Sequence, residues 1–563
     1  MTTNESKCVV MFRIFKKEVI KTLKKVDPDG KYIKESEYAD LASTVAFKIA
    51  KEENKNAEEV AENVISHLSI ESDYIGAIEA VRGYINFFVS SEYLEDTISV
   101  ILDTDENYGS LRIGGEVLIE HTSANPDGPL HIGHIRNAII GDTLARIFRK
   151  AGMNVRTQYY VNDMGKQIAT AVLGVKKFGL DQKKKKDHAV AEAYIKINKE
   201  IEKNPEIEKE MEELMVKYEN LDEKVVEEFK SLVNFVLDGV KQTLEELKVK
   251  HDEFVWESDF IKNNYVNRLF RLLEEKKLIE KEEAWYIPAK KLNLEKDVVL
   301  RRKNKTTLYL TRDLAYHLWK NENYERFINV LGSDHKLEGK ELCVILETLG
   351  FKKPEIIFFE FVSLPEGSMS TRKGVYISAD EVIEKTYKEA YKLLKERDFS
   401  ENEKKKIAKE VAISSLRYDF IKVSPEKPMT FDLAQALDFE KQTASYIQYS
   451  YARACSILRK AVKLGMPDLE FSGELCTKTE RKLVVELSKF SYLIERVINE
   501  LKPNLFAEYL IGVASLFNDF YKDHPVLKAP SEYRMHRLAI VDSTRIVLRN
   551  GMELLGITPL EKM

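Results

Sequence analysis

Cysteine is scarce in this chain. Cys8, Cys343, Cys455 and Cys476 are spread over 563 residues, too few and too far apart for a disulfide framework, and no C-x-x-C pair offers a zinc site. Buried thiols are the expectation. Long apolar runs are missing too, since none approaches the ~18 residues that a membrane span requires. The N-terminal stretch MTTNESKCVVMFRIFKKEVIK breaks its apolar residues with charge every few positions. A secretory signal is therefore not expected, and the protein reads as cytoplasmic with no membrane partner. Nor is there an excess of positive charge: 88 Lys and Arg stand against 93 Asp and Glu, a formal net charge of −5. That excludes a domain holding nucleic acid by phosphate attraction alone, so an RNA partner has to be met by local patches. The run KKKK at 183–186 is one such patch, although runs of this kind are more often solvated faces.

What is present points to several globular domains. A 44% hydrophobic and 32% charged chain of this length exceeds one domain severalfold. Residues 1–112 mix helical periods with the strand-like YINFFV and end in the turn-rich DENYGSLRIGGE, which predicts an α+β N-terminal domain. From 113 to about 430 an α/β domain is expected. EVLIEH reads as a buried strand, 129–151 as a helix with Ile132, Ile135, Ile139 and Ile147 near one face, and NVRTQYY as the next strand, a βαβ unit that favours a parallel sheet. A charged helical insertion is predicted at about 172–260. TTLYLT, INVLG and EIIFFEFV then read as strands completing the sheet, and 431–563 as an all-α bundle.

The stretch ANPDGPLHIGHIRNAIIGD at 124–142 carries the chemistry. A helix N-terminus presents unpaired N–H groups and partial positive charge, a ready phosphate site. His131 and His134 add donors on one face, and Gly133 leaves room for a phosphate or flat ligand to approach the backbone. The end of the preceding strand, Glu120 to Asn125, is where ligands collect on a parallel sheet. By spacing alone the two imidazoles are more often surface residues near a turn. A zinc reading lacks both HEXXH spacing and a third ligand, so no metal-ligating residues are predicted.

The whole stretch IEHTSANPDGPLHIGHIRNAIIGD resembles the HIGH signature of class I aminoacyl-tRNA synthetases in the form seen in arginyl-tRNA synthetases. Further similar segments follow in the family's order: YYVNDMGKQ, LYLTRDLAYH, SMSTRKG, YDFIKVSP, YIQYSYARACSILRKA and a tail RNGMELLGITPLEKM. The resemblance implies a Rossmann-like catalytic core, an N-terminal tRNA-contacting domain and a C-terminal anticodon-binding bundle. It implies ATP, L-arginine and tRNA(Arg) as partners, Mg2+ accompanying ATP without a dedicated protein site, and a monomer. His131 and His134 take the role of stabilising charge on the α-phosphate, with Pro129 and Gly133 beside ATP. Glu120, Ser123, Asn125, Tyr309, Asp313 and Asp334 take the arginine, and Tyr446, Gln448, Tyr449 and Arg453 the tRNA.

One segment departs from the pattern. SMSTRKG resembles the KMSKS loop, but the family-wide lysines fall on Ser368 and Thr371. Met369, Ser370 and Thr371 remain as ATP contacts, with Arg372 and Lys373 as the cations facing the leaving pyrophosphate. Some relatives compensate with a lysine just before HIGH, where this chain has Asp127 and Gly128, so Lys336 of GSDHKLEGK is a further candidate. HIGH by itself does not name the amino acid. An enzyme for cysteine would carry a zinc-binding cysteine set, which is absent, and a tRNA-binding relative without activity would be marked by loss of a histidine, whereas both are present.

Overall fold

The computed structural model describes residues 10–363, 365, 377–438, 442–465 and 469–563. Its centre is a five-stranded sheet, parallel at every pairing, in the spatial order Glu355–Phe359, Arg326–Gly332, Glu116–Glu120, Asn154–Val161, Glu253–Trp256. Val117, Leu118 and Ile119 of the middle strand are fully buried, as expected of a parallel strand covered on both faces. The chain starts in the middle, moves outward on one side, then crosses back to Arg326–Gly332 on the other. The order reverses between Glu116–Glu120 and Arg326–Gly332, where Glu120 and Asn329 lie side by side. At such a switch point the two crossovers leave in opposite directions and open a crevice at the carboxyl ends of the strands.

Three strand expectations need correction. TTLYLT is no strand: Thr307 makes only an isolated bridge to Arg301, and Tyr309 already opens the helix Tyr309–Asn323. Leu314, Ala315 and Leu318, buried at helical spacing downstream, draw this segment into the helix. EFVW, hidden inside the predicted helical insertion, is instead the sheet's edge strand Glu253–Trp256; four half-buried residues carry too little pattern to be seen against long helices. EIIFFEFV breaks after Phe359, and Val362–Ser363 pairs with Met429–Thr430 instead.

The insertion consists of the helices Lys166–Phe178, Lys186–Ile201, Pro205–Glu219 and Glu223–Glu246. Its lysine run is not a free patch: Lys184, Lys185 and Lys186 pair with Glu192, Asp380 and Asp238. The N-terminal region holds a four-stranded antiparallel sheet and packs against the C-terminal helices, where the Tyr93 hydroxyl donates to Ser488 Oγ at 2.8 Å. Of the cysteines, Cys455 is buried while Cys343 and Cys476 are only half-buried, and all three are free; Cys8 lies outside the described residues. No described helix is long and apolar enough to cross a membrane.

The helix of the HIGH stretch, Ile132–Lys150, is not amphipathic as its isoleucines suggested. Nearly every side is buried, including Arg136, Asn137 and Asp142. Buried polar groups need partners, and these reach far along the chain. Arg136 donates to the carbonyls of Glu360, Ser424 and Lys427 at 2.6, 3.0 and 3.0 Å. Asn137 accepts from the Thr122 N–H at 2.8 Å and donates to the Val330 carbonyl at 3.0 Å, spanning the switch point. Asp142 meets Arg417 at 2.5 Å, and that fully buried guanidinium also donates to the carbonyls of Leu247 and Leu555 at 2.8 and 2.7 Å. Gly556, at φ +68°, has no room for a Cβ because the guanidinium lies there. Arg417→Met should therefore destabilise the protein by about 3–5 kcal/mol, because it leaves two buried carbonyls without a donor and the buried Asp142 with only Arg146 as its cation; urea unfolding followed by circular dichroism measures it.

Candidate active site

The residues at the helix mouth satisfy each other before any ligand arrives. His131 is the N-cap: its Nδ1 accepts from the Gly133 N–H at 3.1 Å, and its own N–H donates to His134 Nδ1 at 3.3 Å. The rings stack with centroids 3.6 Å apart at 21°. This corrects two expectations. First-turn N–H groups that were expected to face phosphate are partly taken by the histidines. Gly133 makes room for the His131 ring rather than for a ligand, since a Cβ there would stand 3.0 Å from the His131 Cε1. With both Nδ1 atoms accepting, the proton of each ring sits on Nε2, so two N–H donors are presented in a fixed tautomer.

Burial lowers the proton affinity of both rings, His131 to about 4 and His134 well below the usual histidine value, with the neighbouring imidazole adding to the effect on His134. Asp334, exposed, acts in the opposite direction on His131. Both rings are neutral donors at pH 7. Pro129 is buried in the turn that leads into them.

Beside the histidines, at the switch point, lies a cavity of about 880 Å3 lined by Glu120, Ser123, Asn125, Tyr309 and Asp313 among others. Five of the six residues expected to hold arginine thus share one cavity, and Asp334 is not among its lining residues. Tyr309 and Asp313 fall one turn apart at the start of the helix Tyr309–Asn323.

The carboxylates of this cavity are not equivalent. Glu120 is buried and paired with the fully buried Lys320 at 2.5 Å; the same ammonium donates to Asn329 Oδ1 at 2.9 Å. Glu257 is pushed up to about 7 by burial, against the pull of Arg312, whose Nε stands 2.8 Å away. The ion-pair partner of Asp313 among the described residues is an imidazole, His317 Nδ1, at 3.0 Å. Burial works to raise the Asp313 carboxyl, but His317 and Lys320 outweigh it and hold it below its ordinary value. Two of these acids are matched by a permanent cation and Asp313 is not. The Tyr160 hydroxyl, buried at the cavity wall, has no hydrogen-bond partner among the described residues.

The sequence reading assigned no role to Tyr160, Asn162, Lys166 and Gln167, which line the cavity from YYVNDMGKQ, nor to Glu257, Lys320 and Asn329. Only the first group had a signal, in the similar segment quoted for it. Met369, Ser370, Thr371, Arg372 and Lys373 lie outside the described residues. Lys336, exposed, is held by Glu360 at 2.6 Å. Among the described residues one grouping has metal-ligand spacing, Asp187, His188 and Asp380, but the Lys185 ammonium stands 2.8 Å from Asp380 and 3.3 Å from Asp187 and already supplies the positive charge.

Of the expected tRNA contacts, Gln448 is withdrawn: it is fully buried and donates to Ser414 Oγ and the Thr558 carbonyl. Tyr446 is half-buried against the core. Tyr449 is 40% exposed, and Arg453 lies over its ring at 4.9 Å and over Tyr521 at 4.5 Å. The helix Ala444–Lys463 turns one face to the bundle, which separates these neighbours.

An open parallel sheet with a histidine-capped helix and an acidic crevice at its switch point is the catalytic architecture of a class I aminoacyl-tRNA synthetase. Residues 97–432 match the family model described as tRNA synthetases class I (R), catalytic domain; 13–89 match the arginyl tRNA synthetase N terminal domain, and 447–563 the DALR anticodon binding domain. The chain is 65% identical to the arginine–tRNA ligase of Archaeoglobus fulgidus over 98% of this chain and 100% of that one, and 43% identical to that of Methanocaldococcus jannaschii over 92% and 93%. The solved Thermus thermophilus arginyl-tRNA synthetase superposes with a TM-score of 0.81 at 27% identity, covering 98% and 100%. The chain belongs to the arginyl-tRNA synthetase family.

The capping arrangement generates a test. Nitrogen-15 NMR of histidine-labelled protein should find His131 and His134 protonated on Nε2 alone at pH 7, with His131 gaining its second proton only near pH 4. A transition of either ring near pH 6.5 would contradict the burial that keeps them neutral.

Proposed function

We infer that the protein attaches L-arginine to its tRNA in two steps at the crevice just described. The arginine carboxylate attacks the α-phosphorus of ATP and pyrophosphate leaves; the 2′-hydroxyl of the terminal ribose then takes the arginyl group and AMP departs. His131 and His134 donate from Nε2 to oxygens on the α-phosphorus, where charge grows in the transition state. Lys336, Arg372 and Lys373 are the cations we assign to the leaving pyrophosphate, with Met369, Ser370 and Thr371 around the nucleotide. Mg2+ would travel with ATP. It would be held mostly by phosphate and water rather than by a protein cage.

The observation that carries the choice of amino acid is Asp313, a cavity acid one turn from Tyr309 whose ion-pair partner among the described residues is an imidazole and not a permanent cation. A guanidinium is a planar cation with five donors and needs acceptors that are not already neutralised. Asp313 supplies the charge, Tyr309 and the unpartnered Tyr160 hydroxyl supply further acceptors, and Glu120 adds a carboxylate half-committed to Lys320. Ser123 and Asn125 lie at the strand end, where they would hold the ammonium and carboxylate. ATP–pyrophosphate exchange across the amino acids, with and without tRNA, tests the assignment: arginine should be the one substrate activated, and activation should require tRNA. Asp313→Asn should raise the arginine KM about tenfold to a hundredfold, the equivalent of about 1.5–3 kcal/mol for a charge-assisted hydrogen bond. ATP KM should barely move, and discrimination against citrulline should shrink. An unchanged arginine KM with citrulline still rejected would place guanidinium recognition elsewhere.

We propose that residues 1–112, 113–430 and 431–563 act as tRNA-contacting, catalytic and anticodon-binding domains of a cytoplasmic monomer. On the last, Tyr449 offers an exposed ring for stacking on an unpaired base, and Arg453, held by the two tyrosines, a cation for phosphate. Tyr449→Ala with Arg453→Ala should raise the KM for tRNA about tenfold and leave the arginine KM unchanged. Charging kinetics with tRNA as the varied substrate measure this.

A further inference from the structure

Asp380 lies outside the arginine cavity and touches neither histidine. Yet it joins the insertion to the catalytic core through three side chains. One Asp380 oxygen accepts from Lys185 Nζ at 2.8 Å and from Thr243 Oγ1 at 2.9 Å; the other accepts from Lys185 at 2.9 Å and faces His188 Nε2 at 2.7 Å. These partners come from two insertion helices, Lys186–Ile201 with its preceding residue, and Glu223–Glu246. Asp187, fully buried beside Lys185, extends the cluster, and Gly239 gives it room, since any Cβ there would collide with the Asp187 carboxylate.

The residues just before Asp380 are bound to the HIGH stretch itself. Ser378 caps the helix Ala379–Leu393 and forms an antiparallel bridge with His131, and the Ala379 N–H donates to the Leu130 carbonyl at 2.7 Å. Asp380 sits in the first turn of that helix. The backbone that carries His131 is thus tied to Ser378 and Ala379, and these are tied through Asp380 to the insertion. A second contact runs parallel to the first: a Cβ on Gly128 in the turn before His131 would come within 3.0 Å of Ala191 on the insertion helix.

We propose that Asp380, with Lys185, Thr243 and His188, is a positioning group for amino acid activation: it fixes the backbone under His131 and so aims the two imidazole donors at the α-phosphate. This rests on the assignment of the histidines to the α-phosphate. Donors aimed at developing charge lose their effect on displacements of an ångström or less, so the charged cluster matters to rate more than to substrate affinity. It also makes the helical insertion part of the catalytic apparatus, because movement of its helices is transmitted to His131 through two polar side chains.

The test is arginine-dependent ATP–pyrophosphate exchange by the full-length protein with tRNA present, for Asp380→Asn, Lys185→Met, Lys185→Arg, Thr243→Val and the Asp380→Asn/Lys185→Met double variant, alongside His131→Ala. Asp380→Asn and Lys185→Met should each lower kcat about tenfold or more with arginine KM little changed, and Lys185→Met should also lower the melting temperature, because it takes the cation from the buried Asp187. Lys185→Arg, which keeps the cation, should recover most of the rate. The double variant should be no slower than the slower single one, because one linkage can be broken only once. Two full-rate variants, or multiplicative losses in the double variant, would overturn the proposal, as would a rise in arginine KM that accounts for the whole loss. If Asp380→Asn fails to fold, Lys185→Met and Thr243→Val carry the same comparison, Thr243→Val with a smaller fall in kcat. His131→Ala separates the two readings. If it loses rate while the linkage variants do not, only the positioning role falls; if it keeps its rate, the histidine assignment falls.

Discussion

The guanidinium of Arg417 is the constraint on which the rest of this architecture depends. It is fully buried, and it joins Asp142 of the HIGH helix, the carbonyl of Leu247 where the insertion ends, and that of Leu555 near the C-terminus. A buried cation tolerates only a narrow geometry, because each donor left without an acceptor keeps its full desolvation penalty. The three segments therefore arrive together or not at all. Arg136 and Asn137 repeat the device on the same helix, one gripping carbonyls at 360, 424 and 427, the other clamping the two strands of the switch point. A helix pinned by three buried polar residues can hold two histidines at its mouth without a ligand to order them.

That rigidity bears on how the imidazoles work. Neutral, stacked and each holding a backbone N–H at Nδ1, they have no proton to gain or lose near neutral pH. In the proposed reaction their contribution to an in-line attack at phosphorus is two prearranged dipoles, which suits a reaction in which positioning and charge stabilisation account for most of the catalysis. The cavity beside them follows the same logic in reverse. Glu120 and Glu257 are matched with Lys320 and Arg312, while Asp313 pairs with an imidazole and feels Lys320 only at a distance, so it is the acid we assign to a cationic side chain.

The insertion is more than a decoration on the sheet. Its helices line one side of the cavity at the switch point through Lys166, Tyr194 and Asn198, and reach the HIGH turn through Ala191 and the Asp380 cluster. The lysine run at 183–186, unremarkable as sequence, belongs to this linkage because Lys185 faces inward.

The sequence by itself determined the family, the βαβ start of the sheet, and the residues at the strand end and helix mouth, Glu120 to His134, because these lie within fifteen residues of one another and local chemistry imposes their pattern. Its alternation and periods also determined the strands Asn154–Val161 and Arg326–Gly332. Other features came only with the tertiary structure. EFVW is an edge strand because Asn154–Val161 has a free side, and TTLYLT is not a strand because the helix Tyr309–Asn323 begins inside it. Gln448 looks like an RNA contact until Ser414 and Thr558 arrive from elsewhere in the chain to bury it. Lys320 and Arg312 neutralise particular acids, and Asp380 meets Lys185 across nearly two hundred residues. A sequence displays a charge, but whether that charge is spent on a neighbour depends on what lies within about 4 Å, the range over which ion pairs form, and only the fold fixes that.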